Sequence, residues 1–170
     1  MIRKITRDMI LNGLGRPVPC CMFDITSRTF QCDMWSQIFD EIGCIGYSAY
    51  EDDKPAGQLI FLPKKYARRI GLSTCPTNER LDTTILVGCL AISGEYRNKG
   101  LASTMIRELI DFCESAGFNR IEVGVCDKPA GNNWVEQISF LPFRKFGFVL
   151  DETARAHEFK PEELMCYLNL

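Results

Sequence analysis

The sequence lacks the features by which membrane proteins, exported proteins and nucleic-acid binders are usually identified. No apolar run approaches the roughly 20 residues that a membrane-spanning helix needs, and the first ten residues hold no continuous apolar stretch typical of a signal peptide. Basic residues are not in excess, since 20 Lys and Arg stand against 22 Asp and Glu and the net charge is −2. We therefore expect neither a membrane nor a nucleic acid as a partner.

Metal-binding patterns are scarce as well. The chain has a single histidine, His157, and its nine cysteines include no pair with C-x-x-C spacing. The adjacent Cys20 and Cys21 come nearest to a ligand pair, but without a second pair they do not predict a zinc site. An odd number of cysteines without an export signal is typical of reduced thiols, so we predict a cytoplasmic protein whose cysteines pack as small apolar side chains.

The remaining composition is that of an ordinary folded domain. Hydrophobic residues make up 46% of the 170 residues and charged residues 25%, which is enough for a sizeable core under a polar surface. The chain contains no internal repeat, no low-complexity tract and no linker rich in Gly and Ser. We predict one domain that spans residues 1–170.

Hydrophobic periodicity predicts a mixed α/β order. Strands are predicted at 1–5, 44–50, 56–62, 83–92, 119–125, 148–150 and 164–168, and helices at 6–11, 33–42, 101–116 and 134–145. Extended connections or loops are predicted at 63–82 and 151–163. Within the apolar segment 83–92, Gly88 indicates a bulge or a close backbone approach. The strand, helix and strand between 83 and 125 fit a parallel crossover connection.

The segment from Leu90 to Ala102 carries the strongest functional signal. A buried strand runs through a short turn directly into a helix whose first turn contains Gly100 and Ala102. A helix start presents unpaired backbone N–H groups and the positive end of the helix dipole, and small residues leave both accessible. Arg97 and Lys99 add positive charge. Together these features predict a binding site for a diphosphate.

The order of these residues matches neither of two common nucleotide motifs. A P-loop needs Gly-x-x-x-x-Gly-Lys-Ser/Thr and a dinucleotide fingerprint needs Gly-x-Gly-x-x-Gly, and neither is present. The pattern Arg97-x-x-Gly100-x-Ala102 instead resembles the Arg/Gln-x-x-Gly-x-Gly/Ala signature of the GNAT superfamily of acyl-CoA-dependent N-acyltransferases. Further segments resemble other parts of that superfamily, including a Cys-rich branch of it: Cys20-Cys21-Met22-Phe23, Lys54-Pro55-Ala56-Gly57, Pro63, Asn132-Asn133 and Phe143-x-x-x-Gly147-Phe148.

The resemblance implies a fold and a co-substrate. The fold is a mixed, mostly antiparallel sheet with flanking helices, in which the parallel strands 83–92 and 119–125 splay apart. The co-substrate is acetyl-CoA, whose pantetheine arm would lie in the gap between these strands. The residues implied to bind it are Leu90, Ala91 and Ile92 along the arm, Arg97, Asn98, Lys99, Gly100, Leu101 and Ala102 at the diphosphate, and also Asn133 and Phe143.

The resemblance also implies the reaction, which is direct transfer of an acetyl group to an amine of a small molecule or a peptide. Such a transfer depends mainly on orienting the amine at the thioester carbonyl. The N–H of Ile92 is a candidate to stabilise the developing oxyanion, and Glu122 is a candidate for the base. A solvated or salt-bridged strand glutamate is an equal alternative for Glu122. The resemblance leaves a homodimer open.

One position departs from the family pattern. Many of these enzymes have a tyrosine four residues before Gly147, where it protonates the departing thiolate, but this chain has Phe143. Tyr96 and Tyr167 are candidates to replace it. The substitution favours an alternative function, an acyl-CoA-binding module without transfer activity. A cysteine-dependent or metal-binding protein is a third alternative, supported only by the number of thiols.

Overall fold

A computed structural model describes residues 1–11, 28–70, 81–126, 138–157 and 160–170. Its helices are α1 (Arg7–Leu11), α2 (Arg28–Ile42), α3 (Leu101–Ser115) and α4 (Leu141–Arg144), and its strands are β1 (Ile2–Lys4), β2 (Gly46–Glu51), β3 (Lys54–Pro63), β4 (Thr84–Ile92), β5 (Arg120–Val125), β6 (Val149–His157) and β7 (Lys160–Asn169). Two short 3₁₀ helices, Lys64–Ile70 and Gly94–Tyr96, follow β3 and β4.

The seven strands form one sheet in the order β1-β2-β3-β4-β5-β7-β6. Every neighbouring pair is antiparallel except β4 and β5, which run parallel and are joined through α3. The prediction of a mixed, mostly antiparallel sheet with one parallel pair is therefore confirmed. The parallel pair lies in the middle of the sheet, where helices cover both of its faces.

Each face of the sheet has its own apolar core. On the face that we call the α3 face, Met105 and Leu109 of the helix pack against strand residues such as Phe61 and Ile121. On the opposite face, the α2 face, Trp35 and other residues of α2 pack against the sheet; the strand residues of this core include Ile60, Leu62, Leu86 and Met165. Because side chains alternate along a strand, the strands β3, β4 and β7 contribute buried residues to both cores.

Helix α3 is fixed on the sheet by an apolar stripe and by a partly buried hydrogen bond to β2. Its buried residues are Leu101, Met105, Ile106, Leu109 and Cys113, as the helical period predicts. The hydroxyl of Tyr47 on β2 donates a hydrogen bond to the backbone carbonyl of Glu108 at 2.9 Å. Burial raises the pKa of Tyr47, so its hydroxyl stays a donor at any physiological pH. This bond ties the middle of α3 to β2 and so fixes where the helix begins.

Replacing Tyr47 with phenylalanine is expected to lower the free energy of unfolding by about 1 kcal/mol, because the partly buried hydrogen bond from its hydroxyl to the Glu108 carbonyl is lost. Urea denaturation of both proteins measures the difference. The matched control is Tyr50→Phe on the same strand, whose ring lies under Arg3 at the surface. A loss in the control equal to that in Tyr47→Phe would contradict a specific role for the hydrogen bond.

Three sequence predictions differ from the structure. The helix predicted at 134–145 is shorter in the structure. Within the described residues it comprises only the four residues of α4, since residues 138–140 are not helical, and residues 127–137 lie outside the described residues. The loop predicted at 151–163 is wrong, because β6 and β7 pair along this segment and His157 is opposite Lys160. The connection predicted after Pro63 begins as a 3₁₀ helix.

Candidate functional site

A bulge in β4 confirms the prediction made from Gly88. Ile60 of β3 is opposite Cys89, and Phe61 is opposite Val87, so that Gly88 is the extra residue. The bulge reverses the alternation of side chains along the strand. Val87 lies on the α3 face before it, whereas Cys89 lies on the α2 face after it.

Beyond this bulge, β4 separates from β5. The parallel ladder joins Thr84–Val87 to Arg120–Val123, and no pairing between the two strands is seen further along the described residues. The second half of β4 and the end of β5 therefore border a cleft. Residues 88–92, which line it, are all partly exposed. An extended ligand could hydrogen-bond to the open edge of β4 as a neighbouring strand would.

The backbone of this open edge has a definite direction. The N–H of Ser93 donates to the carbonyl of Ala56 on β3 at 2.9 Å, and successive residues of a strand point their backbone groups to opposite edges. Ala91 therefore directs its N–H and C=O toward β3, whereas Leu90 and Ile92 direct theirs into the cleft. Of the three residues predicted to contact the pantetheine arm, Leu90 and Ile92 thus present backbone groups to the cleft, whereas Ala91 does not. The carbonyl of Ile92 also accepts a hydrogen bond from Arg97 Nε at 3.4 Å.

The same edge leads through a 3₁₀ turn to the N-terminus of α3, which has no side-chain cap. Gly100 is the N-cap residue, with a left-handed φ of +84°, and its carbonyl accepts the first hydrogen bond of the helix from Thr104. The N–H groups of Leu101 and Ala102 precede that bond, and a Cβ built on Gly100 would meet no atom within 4 Å. Open space in front of unpaired amides is the arrangement that an anion needs.

The residues before Gly100 surround this space with charge. Arg97, Asn98 and Lys99 are all exposed. Asn98 has a left-handed φ of +62°, and Lys99 lies over the ring of Tyr96 with its Nζ 5.0 Å from the ring centroid. The structure therefore brings the predicted diphosphate residues 97–102 together at one helix end. Their arrangement fits a diphosphate.

Two further predicted ligands are less informative. Asn133 lies outside the described residues. Phe143 is fully buried on the α3 face and packs edge-to-face against Phe148, with 5.1 Å between the ring centroids. A phenylalanine held in this way can only offer apolar contact, so α4 brings no proton donor at this position.

Glu122, the predicted base, is part of a buried ion-pair network on the α2 face. Its side chain and that of Lys64 are both 0% exposed, and Glu122 Oε2 lies 2.6 Å from Lys64 Nζ. This contact is an ion pair without hydrogen-bond geometry, whereas Arg120 Nε donates a hydrogen bond to Glu122 Oε1 at 2.8 Å. The guanidinium of Arg120 lies 3.8 Å from the ring centroid of Tyr167. These surroundings match the salt-bridged alternative for Glu122.

A second glutamate on the same face was missed by the sequence reasoning. Glu163 of β7 was placed in a loop, but its carboxylate lies beside Gly124 of β5, with Oε2 3.6 Å from the position that a Cβ on Gly124 would occupy. Gly124 is the first residue of β5 beyond the last pair with β4, at Val123. The alternation of Glu163, Met165 and Tyr167 along β7 is the sequence signal that could have located it.

Four cysteines of the described residues are buried, namely Cys44, Cys113, Cys126 and Cys166, whereas Cys89 is partly exposed beside the cleft. Burial raises the pKa of the Cys44, Cys113 and Cys166 thiols, which keeps them protonated. Across the described residues, no three His, Cys, Asp or Glu side chains are grouped as a metal site would require. No helix in this part of the chain is long and apolar enough to cross a membrane.

Comparisons with known families agree with this geometry. Residues 18–134 match the sequence model of a family described as the acetyltransferase (GNAT) family. No curated protein matches the sequence.

Solved structures resemble the whole chain in fold. An acetyltransferase of the GNAT family from Streptococcus pneumoniae is 15% identical, with a TM-score of 0.64 over 100% of this chain and 98% of its own. The ribosomal-protein-alanine N-acetyltransferase from Brucella melitensis is 14% identical, with a TM-score of 0.63 over 100% and 99%. The yncA protein from Salmonella typhimurium, solved with its cofactor acetyl-CoA, is 13% identical, with a TM-score of 0.61 over 100% and 93%. At these identities the likeness concerns the fold.

Proposed function

Because this chain belongs to the GNAT family of acetyltransferases, we propose that it transfers the acetyl group of acetyl-CoA directly to an amine of a small molecule or a peptide. The observation that supports this most strongly is the continuous path from the open edge of β4 to the uncapped N-terminus of α3. An elongated ligand with an anionic diphosphate at one end suits such a path. The cytoplasmic location and a homodimer stay predictions from the sequence.

Each part of the path has a proposed task. The amides of residues 98–102 hold the diphosphate, since the N–H of Arg97 already donates to the carbonyl of Gly94, and the side chains of Arg97 and Lys99 add positive charge beside it. The backbone groups of Leu90 and Ile92 orient the pantetheine arm along β4. When bound, acetyl-CoA supplies an activated acetyl thioester. We propose that the N–H of Ile92, which points into the cleft, stabilises negative charge on the carbonyl oxygen during the attack.

Fewer residues are assigned to proton transfer than to acetyl-CoA binding. Glu122 stays a predicted base, and the pH–rate profile of Glu122→Gln, recorded well below its melting temperature, tests that role. A profile like that of the parent protein would show that Glu122 is not the base and serves only in its ion pairs with Lys64 and Arg120. Because CoA thiolate is a tolerable leaving group near neutral pH, transfer does not require an acid in place of Phe143.

A second candidate function is an acyl-CoA-binding module without transfer activity. It is favoured by the buried, fully apolar environment of Phe143, which supplies no acid to the leaving thiolate. Both candidates require the same binding path. They differ only in whether an acetylated amine appears.

Calorimetric titration with acetyl-CoA tests the shared part of both candidates, with CoA, ATP and NAD as comparison ligands. We expect micromolar binding that is selective for acetyl-CoA and CoA. Acetyl-CoA at about 100 times its dissociation constant should then stabilise the fold by about 2.7 kcal/mol and raise the melting temperature. Absence of binding would contradict both candidates.

Mass spectrometry of the amine product then separates the transferase from the binding module. Reagents that detect released thiol are unsuitable, because the chain itself carries nine cysteines. We expect a mass increase of one acetyl group on at least one of spermidine, lysine and a peptide with a free N-terminus. Binding of acetyl-CoA without any acetylated product would favour the binding module.

A further inference from the structure

We propose that Glu163 receives the acceptor amine and takes a proton from its ammonium form. The inference rests on the proposed transferase function and deepens it, because it assigns the acceptor side of the cleft. It is carried by the position of one carboxylate relative to the point where β4 and β5 separate.

Strand β7 places Glu163 at that point. Its pairing with β5 puts Met165 opposite Gly124 and Tyr167 opposite Glu122, all on the α2 face. Glu163 precedes Met165 by two residues on β7, so its side chain lies on the same face. It therefore continues this row toward the open end of the cleft. The proposed acetyl-CoA site at the α3 N-terminus lies on the other face of the sheet. An amine that approaches the thioester from the α2 face would therefore pass Glu163.

The lack of a side chain at Gly124 lets Ala156 of β6 pack against the strand, and the Glu163 carboxylate lies beside the same position. A Cβ on Gly124 would lie 2.6 Å from the Cβ of Ala156, which real Cβ atoms do not tolerate, and 3.6 Å from Glu163 Oε2. Two small residues of β6, Ala154 and Ala156, belong to the core on the same face. The described side chains beside the cleft on this face therefore include small groups and the Glu163 carboxylate.

Other ionisable groups on this face are placed differently. The ion pairs of Glu122 with Lys64 and Arg120 lie beside the closed part of the β4–β5 ladder, and Glu122 is fully buried. Further titratable groups of the described residues also belong to the α2 face by strand alternation or packing: Tyr66 after β3, Cys89 of β4, Cys126 after β5 and Tyr167 of β7. Glu163 is a partly exposed carboxylate beyond the separation point.

The acceptor R–NH₃⁺ binds against the Glu163 carboxylate and passes one proton to it, which leaves a neutral amine. The nitrogen lone pair forms a C–N bond to the acetyl carbonyl carbon, and the C–S bond breaks with its electron pair on sulfur. The second nitrogen proton passes to the thiolate to give the CoA thiol. Glu163 returns its proton to solvent, so the sum is an amide, a thiol and one proton.

The pH dependence of Glu163→Gln tests the proton transfer. For the parent protein, kcat/KM should be level from neutral pH up to the pKa of the free amine, because the Glu163 carboxylate reacts with the ammonium form. For Glu163→Gln, only amine that has already lost its proton can react, so kcat/KM should rise tenfold per pH unit toward that pKa. At pH 7 we expect a deficit of about 100-fold or more, shrinking as the pH rises. A residue that only supported the fold would give a deficit independent of pH.

A binding measurement tests the same residue without turnover. The best acceptor among spermidine, lysine and the peptide is titrated into protein saturated with CoA, which carries no acetyl group. We expect Glu163→Gln to weaken the amine about tenfold or more and to leave the affinity for acetyl-CoA unchanged. Glu152→Gln on β6 removes an exposed carboxylate of the same kind and should match the parent protein. Glu163→Asp should recover part of the rate.

The outcomes separate this inference from the function on which it rests. Transfer by Glu163→Gln with the parent rate, pH profile and amine affinity would overturn the inference and leave the transferase intact. A parent protein that acetylates none of the amines would overturn both. A pH-dependent deficit together with weakened amine binding would support both.

Discussion

Replacing Glu122 with leucine is expected to lower the free energy of unfolding by about 3–5 kcal/mol. Glu122 and Lys64 are both 0% exposed, and the charged atoms lie 2.6 Å apart. Removal of the carboxylate takes from the buried Lys64 ammonium a negative charge that helps to offset its desolvation. The loss of a hydrogen bond adds to this effect, because Arg120 Nε no longer has Glu122 Oε1 as its acceptor.

Variants of the partner make this prediction sharper. Lys64→Met should cost less than Glu122→Leu, because Glu122 keeps the guanidinium of Arg120 at 2.8 Å. The double variant should cost less than the sum of the two single variants, since it removes both buried charges together. Urea denaturation of all four proteins gives the coupling free energy.

A surface ion pair of similar length provides the control. Arg7 Nη1 and Asp40 Oδ1 are 2.7 Å apart, but both side chains are about half exposed, at 53% and 52%. Asp40→Asn should therefore cost about 0–1 kcal/mol. Equal losses from Asp40→Asn and Glu122→Leu would show that burial does not set the value of the Glu122 pair.

The parts of the fold that could be predicted are those encoded by neighbouring residues. The apolar stripe of α3 and the β-branched run of β4 show their period directly, and Gly88 interrupts that run where the bulge occurs. The diphosphate site was also predictable, because the turn and the first helical residues that form it are contiguous. Gly100 has the left-handed φ for which glycine is suited.

The hairpin of β6 and β7 could not be predicted because its strands are polar and irregular. Asp151 Oδ1 accepts hydrogen bonds from the Thr153 hydroxyl and from the backbone N–H groups of Thr153 and Ala154, as aspartates do in turns. These hydrogen bonds, above all the one from the Thr153 hydroxyl, hold the pKa of Asp151 below its usual range. The register shifts between Asp151 and Arg155. A local turn inside a strand resembles a loop in sequence, so Glu163 was assigned to a loop as well.

The Glu122 network was beyond sequence reasoning for a different reason. Lys64 follows β3, and Glu122 lies on β5. The two side chains meet because β3 and β5 are the two neighbours of β4 in the sheet. Nothing in the local pattern around Lys64 distinguishes it from the neighbouring Lys65, which forms partly exposed ion pairs with Glu41 and Asp82. Only the tertiary fold decides which of two adjacent lysines is buried.

Replacing Gly100 with glutamate is expected to weaken acetyl-CoA binding by at least about 100-fold. The new side chain would enter the open space in front of the α3 N-terminus, where a Cβ meets no atom within 4 Å. Its carboxylate would compete with the diphosphate for the same amides and repel it, and like charges in contact cost several kcal/mol. Tenfold in affinity corresponds to about 1.4 kcal/mol, so such repulsion exceeds two powers of ten.

The fold should survive this change. The left-handed φ of +84° costs a non-glycine residue about 1–2 kcal/mol, and attraction between the carboxylate and the helix dipole offsets part of that cost. Gly100→Ala adds the backbone strain without the charge, so it should lower stability similarly and weaken binding much less. Melting temperatures of the ligand-free variants check the first effect, and calorimetry with acetyl-CoA checks the second.

The other end of α3 offers a control for both strain and charge. Gly117 also has a left-handed φ, of +78°, and a Cβ there would likewise meet no atom within 4 Å. Gly117→Glu therefore introduces the same side chain with similar strain, far from the proposed diphosphate site. If Gly100→Glu and Gly117→Glu bind acetyl-CoA equally well, the diphosphate does not rest on the amides of residues 98–102. If only Gly100→Glu loses binding, the loss comes from the N-terminal amides themselves, because strain and charge are matched between the two variants.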